Sequence, residues 1–216
     1  MRKILIALLL ISLVACTQEE QATVQYETGD LIYENTFDDP DSWETFGFME
    51  TQFGISNGVY TAISDGGGYI PVTNGETHSN VVIEVTAEQI GGSPGSIYGI
   101  ICRSQAANPT IGYYFLINSS GEFGIRIGES DRIRVFVPWT EHKAINEGLA
   151  TNTFRVVCID DYFAFYINDT FVAESRHDWL VEGTMGFAVN APGETDIVVT
   201  FDNVQIWEAS LVESTE

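Results

Sequence analysis

The chain has 216 residues, of which 44% are hydrophobic and 12% aromatic, enough to bury one sizeable core. It carries 31 acidic and 9 basic residues, a formal net charge of −22 at pH 7. A surface of this sign repels nucleic acid and anionic lipid, which excludes a nucleic-acid-binding role, and it attracts cations. Solubility of an exposed protein is the simplest reason for such acidity.

Residues 1–15 have the pattern of a secretion signal. Arg2 and Lys3 are followed by eleven apolar or small residues, Ile4 to Val14, and then by Ala15 as the small residue before a cleavage site. At 1.5 Å per residue this run is too short for the ~30 Å hydrocarbon layer of a membrane. We therefore expect it to be recognised and removed.

The segment Leu13-Val14-Ala15-Cys16 resembles the lipobox of bacterial lipoproteins, in which the cysteine is acylated and becomes the first residue. The resemblance implies a lipid anchor at Cys16 in the cell envelope, on the extracytoplasmic side of a bacterial membrane. The alternative is an ordinary signal peptide with a chance cysteine. Removal of residues 1–15 leaves 7 basic and 31 acidic residues, a formal charge of −24.

The rest of the chain divides into a tether, a domain and a tail. Residues 16–28 are polar and acidic, which predicts a lipidated cysteine followed by a short flexible tether. Residues 29–209 are expected to form one domain, and residues 210–216 an acidic tail. Short runs rich in Val, Ile, Phe, Tyr and Thr predict the strands of this domain, and they are NGVYTAI, NVVIEVTAEQI, SIYGIICRS, IGYYFLINSSGEFGIRI, RIRVFV, TFRVVCIDDYFAFYINDTFVAES, TMGFAVN and TDIVVTFDNVQIWEA.

Two β-hairpins are clear within these runs. In the first, YYFLIN and EFGIRI flank Ser119-Ser120-Gly121, and in the second, FAFYIN and FVAES flank Asn168-Asp169-Thr170. No long stretch has apolar residues at helical spacing. The sequence therefore predicts an all-β, two-sheet sandwich in a single domain.

The order of several segments carries a family resemblance. ENTFDDPDSWE, YGIICRS, GYYFLINSSGEFGIRI, GTMGFAV and VVTFDNVQIWEA resemble the concanavalin A-like jelly rolls of bacterial surface proteins. They fall in the laminin-G-like group that includes domains named 3-keto-disaccharide hydrolases. The resemblance covers about residues 30–208, and it implies that the first and last strands lie side by side at one edge.

Cys102 and Cys158 remain as an even pair once Cys16 is acylated, and an oxidising compartment permits a disulfide. The segments ICRS and RVVC look like the paired positions in relatives of this group. The resemblance thus implies a Cys102–Cys158 disulfide, with two buried free thiols as the alternative.

One strand superficially resembles the E-x-D-x-E strand of jelly-roll glucanases. Alternation places Glu84, Thr86 and Glu88 on one face, but a threonine stands where those enzymes have the central acid. A glycosidase needs two carboxylates about 5 to 9 Å apart across the scissile bond. We therefore predict no catalytic residue, and exposed acids are the ordinary explanation.

A structural calcium ion is the one cofactor that the sequence suggests. Glucanases and lectins of this broad fold bind calcium where the first and last strands meet, which makes Asp38, Asp39 and Asp202 candidate ligands. The alternative is that Asp38 and Asp39 form a turn with Pro40, while Asp202 hydrogen-bonds the backbone at the strand end.

Glycan binding requires an aromatic face for the sugar ring and planar polar groups for its hydroxyls. The residues with suitable types and positions are Arg103, Tyr113, Arg126, Trp139 and Tyr162. The alternative for each aromatic is a place in the core.

The leading functional prediction is a lipid-anchored, cell-surface module that binds a glycan, an envelope polymer or another extracellular ligand without catalysis. The alternatives are a glycoside-active hydrolase related to the 3-keto-disaccharide hydrolases, and a structural or adhesive envelope protein. A groove with two converging acids favours the enzyme, a groove with aromatics alone favours binding, and the lack of a groove favours the structural role.

Overall fold

The computed structural model describes residues 21–48, 51–66, 70–193 and 196–212. Within these ranges every regular element is a β-strand, as the sequence predicts. The strands are β1 (Tyr26–Asn35), β2 (Phe46–Phe48), β3 (Thr51–Ser56), β4 (Val59–Ser64), β5 (Ile70–His78), β6 (Val81–Gly91), β7 (Ile97–Ser104), β8 (Gly112–Asn118), β9 (Glu122–Glu129), β10 (Arg132–Glu141), β11 (Thr151–Ile159), β12 (Tyr162–Ile167), β13 (Thr170–Arg176), β14 (Gly183–Asn190) and β15 (Ile197–Leu211). In this part of the chain, no helix has the length and apolar character needed to cross a membrane.

The described strands form two antiparallel sheets that pack face to face. The larger sheet has nine strands in the order β13-β12-β11-β6-β15-β4-β3-β2, with β1 also paired to β15. The smaller sheet has six strands in the order β10-β9-β8-β7-β14-β5. This is the two-sheet jelly-roll sandwich predicted from the sequence.

The interior is an aromatic and aliphatic layer between the sheets. Phe187 of β14 stacks on Phe201 of β15 with ring centroids 4.0 Å apart, and Trp43 stacks on Phe187 at 5.1 Å. All three side chains are at most 5% exposed. Burial on this scale, at about 25 cal/mol per Å² of apolar surface, is the main term that holds the two sheets together.

Strand β15 changes face halfway along its length. Ile197, Val199 and Phe201 point into the core, but the next core residues are Val204 and Ile206. The phase shift is a β-bulge between Asp202 and Gln205, where residues 203 and 204 of β15 face one residue of β6 and the register is interrupted. As a result, Trp207 lies on the outer face of the larger sheet.

Asn203 and Asp202 explain why the bulge forms at this point. Asn203 has a φ of 52°, a left-handed conformation that asparagine tolerates better than most residues. The Asp202 carboxylate accepts a hydrogen bond from the Asn203 backbone N–H at 2.7 Å. The Asp202 side chain therefore bonds the backbone at the bulge, as the alternative explanation of Asp202 anticipates.

A disulfide joins the two sheets. Cys102 of β7 and Cys158 of β11 are bonded, with their Cα atoms 7.0 Å apart, and both side chains are buried. The implied Cys102–Cys158 pairing is confirmed. The bond fixes the smaller sheet to the larger one across the core.

The first and last strands lie side by side, as the resemblance implies. Strand β1 pairs antiparallel with β15, and Asn35 lies opposite Val204. Pairing begins at Tyr26, opposite Leu211, so the expected domain limits at residues 29 and 209 fall inside paired strands. The described domain therefore includes part of the segment expected to be a tether.

We predict that replacing Cys102 and Cys158 together by alanine lowers the free energy of unfolding by about 4 kcal/mol, because the bridge closes a loop between residues 56 positions apart. Urea unfolding of the oxidised full chain and of the double variant measures the difference. Two free thiols at these positions in the oxidised, folded chain, or equal unfolding midpoints, would contradict the prediction.

Candidate functional site

An N-terminal strap, residues 21–25, crosses the outer face of the larger sheet. One end of the strap lies beside the end of β15, where the Val212 N–H donates to the Gln25 carbonyl at 3.0 Å. The other end reaches the edge strand β13. Val24 and Tyr26 pack against an apolar cluster on this outer face that includes Val157 and Tyr162. The strap is therefore docked on the domain.

Glu174 of β13 holds the far end of the strap. Its carboxylate accepts hydrogen bonds from the backbone N–H of Thr23 at 2.9 Å, from the Thr23 hydroxyl and from the Tyr162 hydroxyl at 2.9 Å. Partial burial by itself raises the pKa of Glu174, but these donors outweigh it and the net pKa is lowered. For Tyr162, burial and then the neighbouring Glu174 raise the pKa. At neutral pH both groups thus keep the protonation states that the strap contact requires.

Between the strap and the sheet lies a groove of about 970 Å³, which we call the outer groove. Besides residues 21–28, it is lined by side chains of β6, β11, β12, β13 and β15. Its aromatic residues are Tyr26, Tyr166, Phe171 and Trp207. Tyr26 and Phe171 both meet Tyr166 edge to face, with ring centroids 6.4 and 5.6 Å away. Burial, and then Tyr26, raise the pKa of Tyr166 to about 12, so the groove presents a neutral phenol.

Arg155 of β11 is the polar centre of the outer groove. Its Nε donates to Glu84 of β6 at 2.9 Å and its Nη2 donates to Asp169. The guanidinium also lies 5.7 Å from the ring centroid of Tyr166. Burial by itself lowers the pKa of Arg155, but the bonds and charges of Glu84 and Asp169 outweigh it and the pKa is raised. The groove therefore combines aromatic rings with fixed charged donors and acceptors.

The five residues expected to bind a ligand do not form one site. Arg103 and Tyr113 are 1% and 0% exposed. Burial lowers the pKa of Arg103, and backbone carbonyls, including those of Asp160 and Leu180, accept its hydrogen bonds. The Tyr113 hydroxyl bonds His177 and the backbone of Leu180. Both side chains stabilise the fold, which corrects their expected direct contact with a ligand.

The other three expected residues lie on opposite outer faces. Arg126 is 5% exposed and its guanidinium lies 4.6 Å from the ring centroid of Trp139, on the outer face of the smaller sheet. Tyr162 is on the outer face of the larger sheet but is 1% exposed under the strap. Burial corrects the expected ligand contact of Tyr162 and Arg126, whereas the half-buried Trp139 stays a prediction.

The three expected calcium ligands are not assembled either. Residues 21–48, 51–66, 70–193 and 196–212 contain no group of three or more His, Cys, Asp and Glu side chains that could hold a metal ion. Asp38 accepts a hydrogen bond from Thr36, Asp39 accepts one from the Asp41 N–H in the turn, and Asp202 belongs to the bulge. The aspartates thus satisfy local donors, as the alternative explanation anticipates, and calcium binding by them stays a prediction.

Sequence reasoning missed most of the outer groove. Glu84 was considered only as a catalytic acid, and Arg155, Tyr166 and Trp207 were not considered. The face change of β15 is nevertheless visible in the sequence, because apolar residues occupy positions 197, 199 and 201 and then 204 and 206. That change alone predicts an outward-facing Trp207. The predicted Cys16 lies outside the described residues.

No family model matches the sequence, and no curated protein matches it. Solved structures do share its fold. The carbohydrate-binding module CBM66 from Bacillus subtilis is 16% identical, covers 83% of this chain and 98% of its own, and superposes with a TM-score of 0.60. A Bacillus subtilis protein with a galectin-like fold is 13% identical, with coverages of 86% and 99% and a TM-score of 0.61.

Enzymes are also among the structural neighbours. LamA from Zobellia galactanivorans, in complex with laminaritriose and laminaritetraose, is 12% identical, with coverages of 84% and 100% and a TM-score of 0.59. A β-1,3-1,4-glucanase (lichenase) from a mouse hindgut metagenome is also 12% identical, with coverages of 82% and 98% and a TM-score of 0.59. At these identities the likeness establishes the jelly-roll fold, which occurs in binding modules and in glycoside-active enzymes alike.

Proposed function

We propose that the protein is a glycan-binding module of the bacterial cell envelope, and that the outer groove is its binding site. The observation that carries the proposal is that Trp207, Tyr26, Tyr166 and Arg155 line one groove of about 970 Å³, with the Arg155 guanidinium against the Tyr166 ring. Aromatic faces accept the apolar side of a pyranose ring, and fixed polar groups accept and donate to its hydroxyls. CBM66 and the LamA complex with laminaritriose and laminaritetraose support this choice of ligand class by their common fold.

The charges of the groove favour a neutral saccharide. Arg155 is balanced by Glu84 and Asp169, and Glu27 and Glu174 add further negative charge at the strap. An acidic polymer would meet this field, and the acidic surface of the whole chain, at a repulsive cost. A neutral hexose polymer meets no such cost.

The contacts of Arg155 with Glu84 and Asp169 also argue against hydrolysis. Glu84 and Asp169 converge, as the hydrolase alternative requires, but one guanidinium donates to both of them. A glycosidase needs one of its two carboxyls protonated, so that it can donate to the leaving oxygen. Here both carboxyl groups instead accept hydrogen bonds from the same guanidinium. The function that the groove supports is binding without bond cleavage.

Attachment to the membrane at Cys16 is the second part of the proposal. Cys16 precedes Gln21, the first described residue, by five positions, which span at most about 18 Å when fully extended. A lipid at Cys16 would keep the outer groove close to the membrane, because the strap is both the start of the domain and a wall of the groove. We therefore place the module at the extracytoplasmic membrane surface.

We predict that Trp207→Ala lowers the affinity for a neutral oligosaccharide by at least tenfold, about 1.4 kcal/mol, because the stacking face is lost. A glycan array that includes laminaritetraose and mixed-linkage glucan identifies the ligand for the full chain, and calorimetry then compares the variants. Leu149→Ala is the matched control, because this side chain is 64% exposed and does not line the groove. Equal loss in both variants, or array binding confined to acidic polymers, would contradict the proposed site.

We predict that Cys16→Ser leaves the domain folded but removes membrane attachment, because residue 16 precedes the paired strands. Detergent-phase partitioning and acyl-chain labelling compare the two chains. A serine variant that still partitions into detergent would refute lipid anchoring and leave the groove proposal standing.

A further inference from the structure

The loop of residues 177–182, between β13 and β14, is held firmly at the open edge of the sandwich. The His177 N–H donates to the Asp161 carbonyl at 2.7 Å, and Gln105 donates to the Glu182 carbonyl at 2.9 Å. Leu180, in the middle of the loop, is 9% exposed and packs into the main core. The loop therefore has fixed contacts at its start, middle and end.

Two buried side chains, Arg103 and Tyr113, bond to the backbone of the loop from the side that faces the core. Arg103 Nη1 donates to the Leu180 carbonyl at 2.7 Å, and the Leu180 N–H donates to the Tyr113 hydroxyl at 3.2 Å. Arg103 keeps a left-handed φ of 56°, which a non-glycine residue adopts only where its surroundings demand it. At the end of the loop, a Cβ on Gly183 would lie 2.5 Å from backbone atoms of Arg103 and Ser104, so the close approach requires glycine. This network fixes the position of everything that the loop carries.

His177 connects the loop to the edge strand β10. Its Nδ1 lies 2.8 Å from the Tyr113 hydroxyl, and its Nε2 lies 3.3 Å from Nη2 of Arg134. Because arginine only donates, we assign Nε2 as the acceptor and Nδ1 as the protonated nitrogen. Glu129 accepts from Arg134 Nε at 3.1 Å, and the Arg134 side chain is 44% exposed. Arg134 is thus oriented by two partners and keeps N–H groups for a third.

Trp179, in this anchored loop, is exposed to solvent. Its side chain is 46% exposed, although it lies in the same loop as the buried Leu180. Its ring lies 6.5 Å from that of His177, edge to face. From the exposed indole, the oriented Arg134 and the fixed loop, we infer that the protein has a second saccharide-binding site at the edge of the sandwich, separate from the outer groove. This inference rests on the proposed glycan-binding function.

The chemistry at this edge selects the same class of ligand as the groove. A pyranose ring stacks on an indole, and its hydroxyls accept from the free N–H groups of Arg134. Three carboxylates, Asp178 and Glu182 of the loop and Glu129 of β9, outnumber Arg132 and Arg134, both of which donate to Glu129. The site therefore takes a neutral sugar residue. A glycan long enough to reach both sites would bind with higher avidity than at either site alone.

Fluorine NMR of the full chain labelled with 5-fluorotryptophan tests the second site. The chain has four tryptophans, and single replacements by phenylalanine assign their signals. Laminaritetraose and each neutral oligosaccharide of the glycan array are titrated separately. We expect the Trp179 and Trp207 signals to shift at different ligand concentrations, the Trp179 shift to persist in Trp207→Ala, and the buried Trp43 signal to remain unchanged.

Calorimetry supplies the matched comparison. Trp179→Ala reduces the number of bound oligosaccharides per chain from two to one, whereas Val181→Ala, which removes an exposed side chain from the same loop, leaves two. An unshifted Trp43 signal in the free variants shows that they are folded. A shift of Trp207 alone, or a Trp179 shift that disappears in Trp207→Ala, overturns the second site and leaves the groove proposal intact. No shift with any array glycan overturns both.

Discussion

The bulge at Asp202 and Asn203 is the constraint on which the outer groove depends. Without it, the alternation of β15 would carry Trp207 into the core and turn Ile206 outward, because the side chains of a strand change face at every residue. The left-handed Asn203 and the carboxylate of Asp202 absorb the extra residue locally. A single backbone irregularity thus directs the side chains of one half of β15 into the core and places Trp207, in the other half, in the outer groove.

The outer groove also depends on the strap. β15 is paired with β4 along its first part and with β1 along its last part, so the chain that enters β1 must pass over the outer face beside Trp207. Contacts of Thr23 with Glu174 fix that passage and turn an open sheet face into a walled groove. The proposed binding surface is consequently walled by the segment that follows the proposed lipid attachment site at Cys16.

Local sequence patterns predict the strands, the two hairpins and a two-sheet sandwich, because these depend on period-two alternation and turn residues, whereas the jelly-roll class came from the family resemblance. Ala22, Val24 and Tyr26 also alternate, but the polar and acidic composition of residues 16–28 led to the prediction of a tether, and the start of β1 at Tyr26 was missed. The role of Arg103 was beyond such patterns, since its acceptors at Ser79, Asp160 and Leu180 lie 24, 57 and 77 residues away. A buried arginine and a ligand-binding arginine look alike until these long-range contacts are known.

The central claim is that glycan occupies the outer face of the larger sheet. Hydroxyl-radical footprinting of the full chain, with and without the glycan selected on the array, tests this position directly, because it measures the solvent accessibility of individual side chains. The account predicts that Trp207, Tyr26 and Tyr166 are protected by ligand while Trp139, on the outer face of the smaller sheet, is unchanged. Protection of Trp139 with no change at Trp207 would contradict it.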